Sequence, residues 1–293
     1  MNGAPFPRAR LHTLYFLGHV ADFSPVFLDT EVDMTRVLAH REASRVNGEA
    51  CSPLTYVLYT AARVVAAHPD ANAAVHRGLF AHRVRQFTGA SGKITLDKRL
   101  RGRRVVLSAV LPGLDTVSLT EIQRQVAHYR DGDPETMAEF APVRSLQRLP
   151  EPVGRTLFRL SRRSLARREA MMGGFAVTSL GHRSVQGFHS VGGTTLTFGL
   201  GRVEERPVVR GGEITTAPLL RLNLAFDHRV VDGAEAADVL HEVKEALEGF
   251  TAEAAEHPGT RVPGTVTEPA RTAPKARGGD GIAAGPAVDQ RAT

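Results

Sequence analysis

The sequence has little cysteine, no tryptophan and no long apolar run. Cys51 is the single cysteine among 293 residues, so an internal disulfide is excluded. No pattern of partner residues supports a nucleophilic thiol, and Cys51 is expected to be a small buried residue at the start of a helix. No apolar run reaches the roughly 18 residues of a membrane-spanning helix. The N-terminus lacks a signal-peptide pattern, and a cytoplasmic location without membrane contact is therefore expected.

Residue spacings typical of zinc sites, helix-turn-helix motifs and RNA-binding aromatic motifs are also missing. The histidines show no metal-ligand spacing, so we expect no metal site. The formal net charge is +6, and charges balance after residue 250, so the excess lies in the part that we expect to fold. A basic surface favours an acidic partner, such as a phosphate-bearing cofactor or an acidic carrier domain, and nucleic acid is the weakest candidate.

Short strand patterns alternate with long helical patterns, which indicates an α/β or α+β domain with a mixed sheet and packed helices. Strands are predicted over 25–33, 93–98, 103–111, 174–180, 194–203 and 218–228, with a hairpin turn at Gly211-Gly212. Helices are predicted over 34–46, 54–68, 118–130, 134–148, 152–170 and 234–249. Residues 251–293, rich in Pro, Gly, Ala and Thr without periodicity, are predicted to be a disordered tail.

Residues 219–250 join a strand to a helix through His-Arg-Val-Val-Asp-Gly, and this stretch organises the chain. Leu222, Leu224 and Phe226 alternate toward one face, and His228 follows in the same phase. Gly233 is expected to allow the sharp exit from the strand, and Asp232 with Glu235 has the spacing of a capping box. Two interpretations of His228 stay open from these residues alone: a reactive base, or a core histidine beside a plain N-cap.

Ala-Phe-Asp-His-Arg-Val-Val-Asp-Gly, residues 225–233, resembles the catalytic segment of the dihydrolipoamide acyltransferases of 2-oxoacid dehydrogenase complexes. That family shares its fold with chloramphenicol acetyltransferase and carries H-x-x-x-D-G after a strand. Residues 25–41, 52–76, 173–181 and 199–209 resemble further family segments, so the likeness covers roughly residues 8–250. The short stand-alone members, with V-T-S-x-G after an additional helical segment, are the most similar.

The resemblance implies a catalytic domain over residues 1–250, with a helical insertion over about 133–170. The family's lipoyl and subunit-binding domains do not precede it in this sequence, so we expect an acyl carrier to be supplied in trans. The segment at His189–Gly193 is about two residues shorter than in the family, which leaves the acyl group open. The apolar C-terminus that builds family cages is replaced by the polar tail, so a homotrimer without a cage is expected.

The resemblance also implies the roles of individual residues. His228 would be the general base and Thr178 the oxyanion donor, where the family has a serine, and Ser179 is the fallback donor. For Thr178 an ordinary strand threonine is the alternative. Asp232 would pair with Arg10 and hold the loop, unless Arg10 is merely a solvated terminal residue. The active site would lie between subunits, with His228 of one chain facing Thr178 of its neighbour.

The expected activity is transfer of an acyl group between coenzyme A and a thiol, without a covalently bound cofactor. The second thiol would belong to a lipoyl group or another carrier. Two alternatives remain open: acylation of a hydroxyl or amine of a small molecule, and a non-catalytic trimeric scaffold. The basic run 154–169 is expected to be a solvated helix face, with docking of an acidic carrier domain or of a membrane surface as alternatives.

Overall fold

The computed structural model describes residues 6–46, 48–77, 81–162 and 164–256. A 3₁₀ turn at Arg8–Arg10 leads into the helices, which are α1 (Leu11–Val20), α2 (Thr35–Arg45), α3 (Pro53–Ala67), α4 (Leu119–Asp131), α5 (Ala141–Leu146), α6 (Glu151–Ser161), α7 (Leu165–Met172), α8 (Gly233–Glu248) and α9 (Ala252–Glu256). The strands are β1 (Pro25–Asp33), β2 (Ala73–Arg77), β3 (His82–Gln86), β4 (Gly92–Leu100), β5 (Arg103–Leu111), β6 (Phe175–Ser179), β7 (Leu196–Arg210) and β8 (Glu213–Asp227).

Six strands form one mixed sheet in the order β1-β8-β7-β6-β4-β5, and β2 pairs with β3 in a separate ribbon. The β4–β6 and β6–β7 pairs are parallel, and the remaining pairs are antiparallel. The expected mixed sheet with packed helices is therefore confirmed. Gly211 and Gly212 both have positive φ and form the predicted turn between β7 and β8, because glycine adopts this conformation without strain.

The inner face of the six-stranded sheet packs against α3 and α8 and forms the hydrophobic core. Ser52 caps α3, since its side chain accepts from the Thr55 N–H, and Pro53 occupies the first helical turn as predicted. The apolar residues of α8 at helical spacing are all buried: Ala236, Val239, Leu240, Val243 and Leu247. Cys51 is 2% exposed at the edge of this core, in agreement with a structural role.

The outer face of the same sheet is covered by residues 180–195, which form no helix or strand, and by α1. The Phe188 N–H donates to Asn223 Oδ1 at 3.0 Å, and the Gly192 N–H donates to Thr197 Oγ1 at 2.9 Å. The approach is close, because a Cβ added at Gly199 would lie 2.3 Å from the Phe188 carbonyl oxygen. The shortened segment His189–Gly193 thus lies across the outer face.

The structure corrects three predictions outside the sheet. The helix predicted over 134–148 is a 3₁₀ turn at Ala138–Phe140 followed by the short α5. The helix predicted over 152–170 is two helices, since α6 ends at Ser161 and α7 begins at Leu165, so the basic run 154–169 is not one continuous face. The tail predicted from residue 251 begins with a helical turn, α9, because Ala255 is still buried against the core. The rest of the predicted tail, from residue 257, lies outside the described residues.

Candidate active site

His228 is the first residue after β8, on a loop that the backbone holds firmly. Its N–H donates to the Ser24 carbonyl at 3.0 Å, and the Asp227 N–H donates to the Thr195 carbonyl at 2.9 Å. The imidazole is 47% exposed and its centroid lies 5.6 Å from the Phe226 ring. An exposed imidazole on a fixed loop is available to a substrate, so the core-histidine interpretation is wrong for His228.

Asp227, which the sequence analysis did not assign a role, is the residue that fixes this loop. Its carboxylate is 1% exposed and accepts two bonds from the Arg229 guanidinium, from Nε at 2.8 Å and from Nη2 at 2.6 Å. It also accepts from the N–H groups of Ser24 and Arg229, each at 3.3 Å. One sequence signal could have identified Asp227. It is a charged residue whose side chain is predicted to point away from the apolar face of its strand.

Asp232 is held much less than expected. Its carboxylate is 92% exposed, and its Oδ1 lies 3.6 Å from Nδ1 of His228, beyond hydrogen-bonding distance. Among the ion pairs of the described residues, none joins Asp232 to Arg10; the Arg10 guanidinium instead lies 6.0 Å from the Phe6 ring. Within one chain, the loop of His228 does not need an ion pair between Arg10 and Asp232, because Asp227 already holds the loop.

The predicted capping box at the start of α8 needs a correction. Asp232 occupies the N-cap position but makes no side-chain capping bond. The Glu235 carboxylate instead binds Nδ1 of His68 at 2.6 Å, which ties α8 to the end of α3. Gly233 is the first residue of α8 and does not have positive φ, and an added Cβ would meet nothing within 4 Å. Backbone freedom at Gly233 is therefore not required within the chain.

Thr178 lies on β6 and carries a buried polar atom without a partner. Its Oγ1 makes no hydrogen bond among the described residues, although buried hydroxyls are usually bonded. Since side chains alternate along a strand, Ser179 points to the opposite face, and its Oγ accepts from the Gly181 N–H at 3.3 Å. Thr178, on the outer face with Asn223, is the hydroxyl that remains free to donate.

One chain does not bring Thr178 and His228 together. Thr178 pairs with Gly199 across β6 and β7, and Gly199 pairs with Asn223 across β7 and β8. His228 lies five residues further along than Asn223. With about 3.3 Å per residue and about 4.8 Å per strand, the two residues are on the order of 15–20 Å apart.

The described residues contain neither a metal-binding cluster nor a membrane-spanning helix. No group of three or more His, Cys, Asp or Glu side chains in that part of the chain is placed to hold a metal ion. Within the same ranges, no helix combines the length and apolarity needed to cross a bilayer. Burial raises the pKa of the Cys51 thiol to about 11, which keeps it protonated and unreactive at neutral pH.

Comparison with known proteins gives a family match over the segment that contains Thr178 and His228. Residues 145–254 match the family model of the 2-oxoacid dehydrogenase acyltransferase catalytic domain. The dihydrolipoyllysine-residue acetyltransferase component of the pyruvate dehydrogenase complex of Bacillus subtilis is 50% identical over 50 residues, 17% of this chain and 11% of that protein. Its counterpart in Staphylococcus aureus is 45% identical over 50 residues, 17% and 12%. The matched segment thus spans little more than a tenth of these relatives.

Solved structures match over most of the chain. The dihydrolipoamide acetyltransferase of Azotobacter vinelandii gives a TM-score of 0.63 at 20% identity, covering 85% of this chain and 91% of that one. A probable dihydrolipoamide acetyltransferase of Listeria monocytogenes gives 0.62 at 18% identity, covering 89% and 98%. These structures establish the fold. The resemblance inferred from the sequence is confirmed: the family model of the 2-oxoacid dehydrogenase acyltransferase catalytic domain matches the segment that contains Thr178 and His228.

Proposed function

We propose that this chain is an acyltransferase that moves an acyl group between coenzyme A and a second thiol, with His228 as general base. The observation that carries the proposal is the exposed imidazole of His228 on a loop fixed by the buried carboxylate of Asp227. Precise holding of a base matters because a proton transfer requires its nitrogen within hydrogen-bond reach of the thiol. The match of residues 145–254 to the acyltransferase catalytic domain supports the same chemistry.

The reaction needs a thiolate, because the thiol itself is a poor nucleophile. An imidazole with an ordinary pKa near ~6.5 is well matched to a thiol near ~8.5. Nδ1 of His228 faces Asp232, so Nε2 is the nitrogen that would accept the thiol proton. The thiolate attacks the thioester carbonyl, and the tetrahedral intermediate collapses as the leaving thiolate takes the proton back from the imidazolium. Asp232, exposed and 3.6 Å away, is not placed to relay the proton.

The negative oxygen of that intermediate needs a donor, and Thr178 is the candidate. A hydroxyl that is buried and unbonded in the resting protein can donate to an oxyanion without first breaking another bond. Removing one such donor typically slows the reaction about 100- to 1000-fold. Ser179, which points to the other face and accepts from Gly181, is a weaker candidate.

The spacing of these residues supports their assignment. Work on the Azotobacter vinelandii dihydrolipoamide acetyltransferase concerns a serine, a histidine and an asparagine in its catalytic mechanism; the serine is 52 residues before the histidine and the asparagine four after. Here Thr178 precedes His228 by 50 residues and Asp232 follows by four. The shortening by two residues near His189–Gly193 accounts for the difference. An asparagine four residues after the histidine also agrees with the proposal that Asp232 does not relay a proton.

The separation of Thr178 from His228 supports assembly into a homotrimer, in which His228 of one chain meets Thr178 of the next. Both thiols would enter this interface as substrates: coenzyme A, and a lipoyl or other carrier thiol supplied in trans. Another matching structure is the cubic core of a pyruvate dehydrogenase multienzyme complex, whereas for this chain we propose a trimer without a cage.

The test is formation of S-acyl-dihydrolipoamide from dihydrolipoamide and a panel of acyl-coenzyme A donors, measured by chromatography with mass spectrometry. His228→Gln should lower kcat by about 100-fold or more, the usual contribution of a general base. His241→Gln is the matched control, because this exposed histidine lies on α8, away from the loop. Thr178→Val should lose about 100- to 1000-fold, and Thr178→Ser should retain activity.

Sedimentation velocity on the same proteins reports the assembly. A wild-type trimer that turns over a donor, with losses confined to the His228 and Thr178→Val variants, would support the proposal. Equal activity of wild type and His228→Gln would refute the base, and an active monomer would refute the shared site. A trimer that transfers acyl groups to an amine or alcohol, and never to a thiol, would refute the proposed acceptor.

A further inference from the structure

A group of basic side chains from separate parts of the chain converges on the outer side of the sheet, beside the His228 loop. We call this group the cationic cluster; its members are His19, Lys93, Arg162, Arg168 and Arg229. Phe23 links its two ends, since its ring lies 5.4 Å from the His19 ring and 4.9 Å from the Arg229 guanidinium carbon. The cluster joins the loop of the proposed base to the helical insertion.

Two members are cations buried by more than nine-tenths. Lys93 is 2% exposed and donates to the Gly192 carbonyl, with the Phe16 ring 5.0 Å from its nitrogen. Arg168 is 7% exposed and donates to the Val75 carbonyl at 2.6 Å. Neither forms an ion pair with a carboxylate within the described part of the chain, whereas buried cations are normally paired.

The acids nearby do not balance these charges. Asp227 is bonded to Arg229. Asp22 lies within electrostatic range of Arg162 and Arg229 but forms no ion pair with either among the described residues. An exposed cation, Arg159, adds to the positive potential at Arg162. The cluster therefore holds more positive charge than its surroundings neutralise.

This excess of positive charge helps to lower the pKa values of two members of the cluster. Burial, followed by the positive charge of Arg168, lowers the pKa of Lys93 to about 7. Burial, followed by the charges of the cluster arginines and Lys93, lowers the pKa of His19 to about 3. Nε2 of His19 is also buried without a partner among the described residues. A bound anion would oppose the positive charges that lower both pKa values and could accept from Nε2 of His19, because it supplies charge and hydrogen-bond acceptors together.

Exposure differs between the members of the cluster, which indicates how an anion would enter. The Arg229 side chain is 29% exposed and Arg162 and His19 are half-buried, while Lys93 is 2% exposed. An anion would therefore approach from the side of Arg229. Guanidinium groups bind carboxylates through two parallel bonds, so a carboxylate suits the arginines of the cluster.

We propose that the cationic cluster is a binding site for a compact oxyanion, the free carboxylate of a substrate, held beside the proposed base His228. The assignment of the anion to a substrate rests on the proposed acyl transfer; the binding of an oxyanion does not. Because Arg229 adjoins His228 in the chain, a carboxylate on the cluster is held by the same loop that carries the proposed base. The preferred substrate would be an acyl group or a thiol acceptor with a free carboxylate.

Binding is tested first, on the full chain, with succinate and with inorganic phosphate as probes. Each should raise the unfolding temperature by roughly 3 °C or more over sodium chloride of equal ionic strength, as expected for ligand at about ten times its Kd. Arg168→Met and Arg162→Met should remove this increase. Arg41→Met, an exposed arginine on α2, is the control that should retain it. If Arg168→Met does not fold, Arg162→Met still decides the test, because Arg162 is only half-buried.

Kinetics then distinguish the source of the carboxylate. Each comparison pairs a substrate that has a free carboxylate with one that lacks it. For the acyl group, the pairs are malonyl- and propionyl-coenzyme A, and succinyl- and butyryl-coenzyme A. For the acceptor, the pair is dihydrolipoate and dihydrolipoamide. We expect kcat/KM to be about tenfold or more higher for the carboxylate in at least one comparison. Arg162→Met should abolish this preference, whereas the control Arg41→Met should retain it.

The oxyanion site would be overturned if neither probe stabilised the protein more than sodium chloride does. It would also be overturned if the probes stabilised Arg168→Met and Arg162→Met as much as the wild type. Turnover without preference for a carboxylate would overturn the assignment to a substrate and leave acyl transfer standing. Oxyanion stabilisation that depends on Arg162, without turnover of any donor, would support the site and count against the proposed function.

Discussion

The structure predicts opposite roles for two aspartates, Asp227 and Asp232, that the sequence places on either side of the same loop. Asp227→Asn keeps the size of the side chain but removes its charge and disrupts the paired bonds to Arg229. Asp232→Asn is the matched control on an exposed side chain. The contrast is useful because the sequence resemblance assigned the holding role to Asp232, and the structure gives it to Asp227.

The expected magnitude follows from burial. Breaking a fully buried ion pair by changing one partner costs about 3–5 kcal/mol. Arg229 is 29% exposed, so water partly solvates it after the change. We therefore expect Asp227→Asn to lower the free energy of unfolding by about 2–4 kcal/mol. Asp232→Asn should change it by less than about 0.5 kcal/mol, as for most exposed positions.

Urea unfolding followed by circular dichroism gives both values, provided that the slopes of the transitions agree. In the S-acyl-dihydrolipoamide assay, Asp227→Asn should also lower kcat, because a loosened loop misplaces His228. A free energy of unfolding for Asp227→Asn within 1 kcal/mol of wild type would refute the reasoning. So would a loss in Asp232→Asn as large as that in Asp227→Asn, which would restore the holding role to Asp232.

Three further predictions follow from buried groups elsewhere in the chain. Burial would lower the pKa of His68, but hydrogen bonds and charges from Glu235 and Glu242 raise it. The stabilisation from His68 is therefore present below about pH 6.5 and is lost as the pH rises through the higher folded-state pKa. The unfolding temperature should fall between pH 5 and 9 for this reason, and His68→Gln should lack this fall. Gly201→Ala should lower the unfolding temperature, because its Cβ would lie 1.8 Å from the Gln186 carbonyl oxygen; a neutral effect would contradict the close packing over the outer face. Cys51 should resist iodoacetamide in the native protein at pH 8 and react in urea, because burial keeps its thiol protonated. Rapid labelling of Cys51 in the native protein would disprove this.

The sequence alone was sufficient for elements whose signals are local. The strand–loop–helix around His228, the cap of α3 at Ser52 and the turn at Gly211-Gly212 were all predicted, because periodicity and turn chemistry depend on near neighbours. The H-x-x-x-D-G motif likewise identified the family. Helix α1 and the ribbon of β2 and β3 were not predicted, since their short patterns gain definition only from packing against the rest of the chain.

The partners of charged groups were decided by the tertiary structure. Spacing suggested a capping box from Glu235, but the fold gives that carboxylate to His68, a partner 167 residues away. The family resemblance suggested Asp232 as the anchor of the loop, whereas the fold encloses Asp227. The cationic cluster is assembled from residues as distant as His19 and Arg229, so no local pattern reports it. Local sequence determined the elements and their motif; long-range packing determined which charges are buried, and burial sets the strength of each interaction.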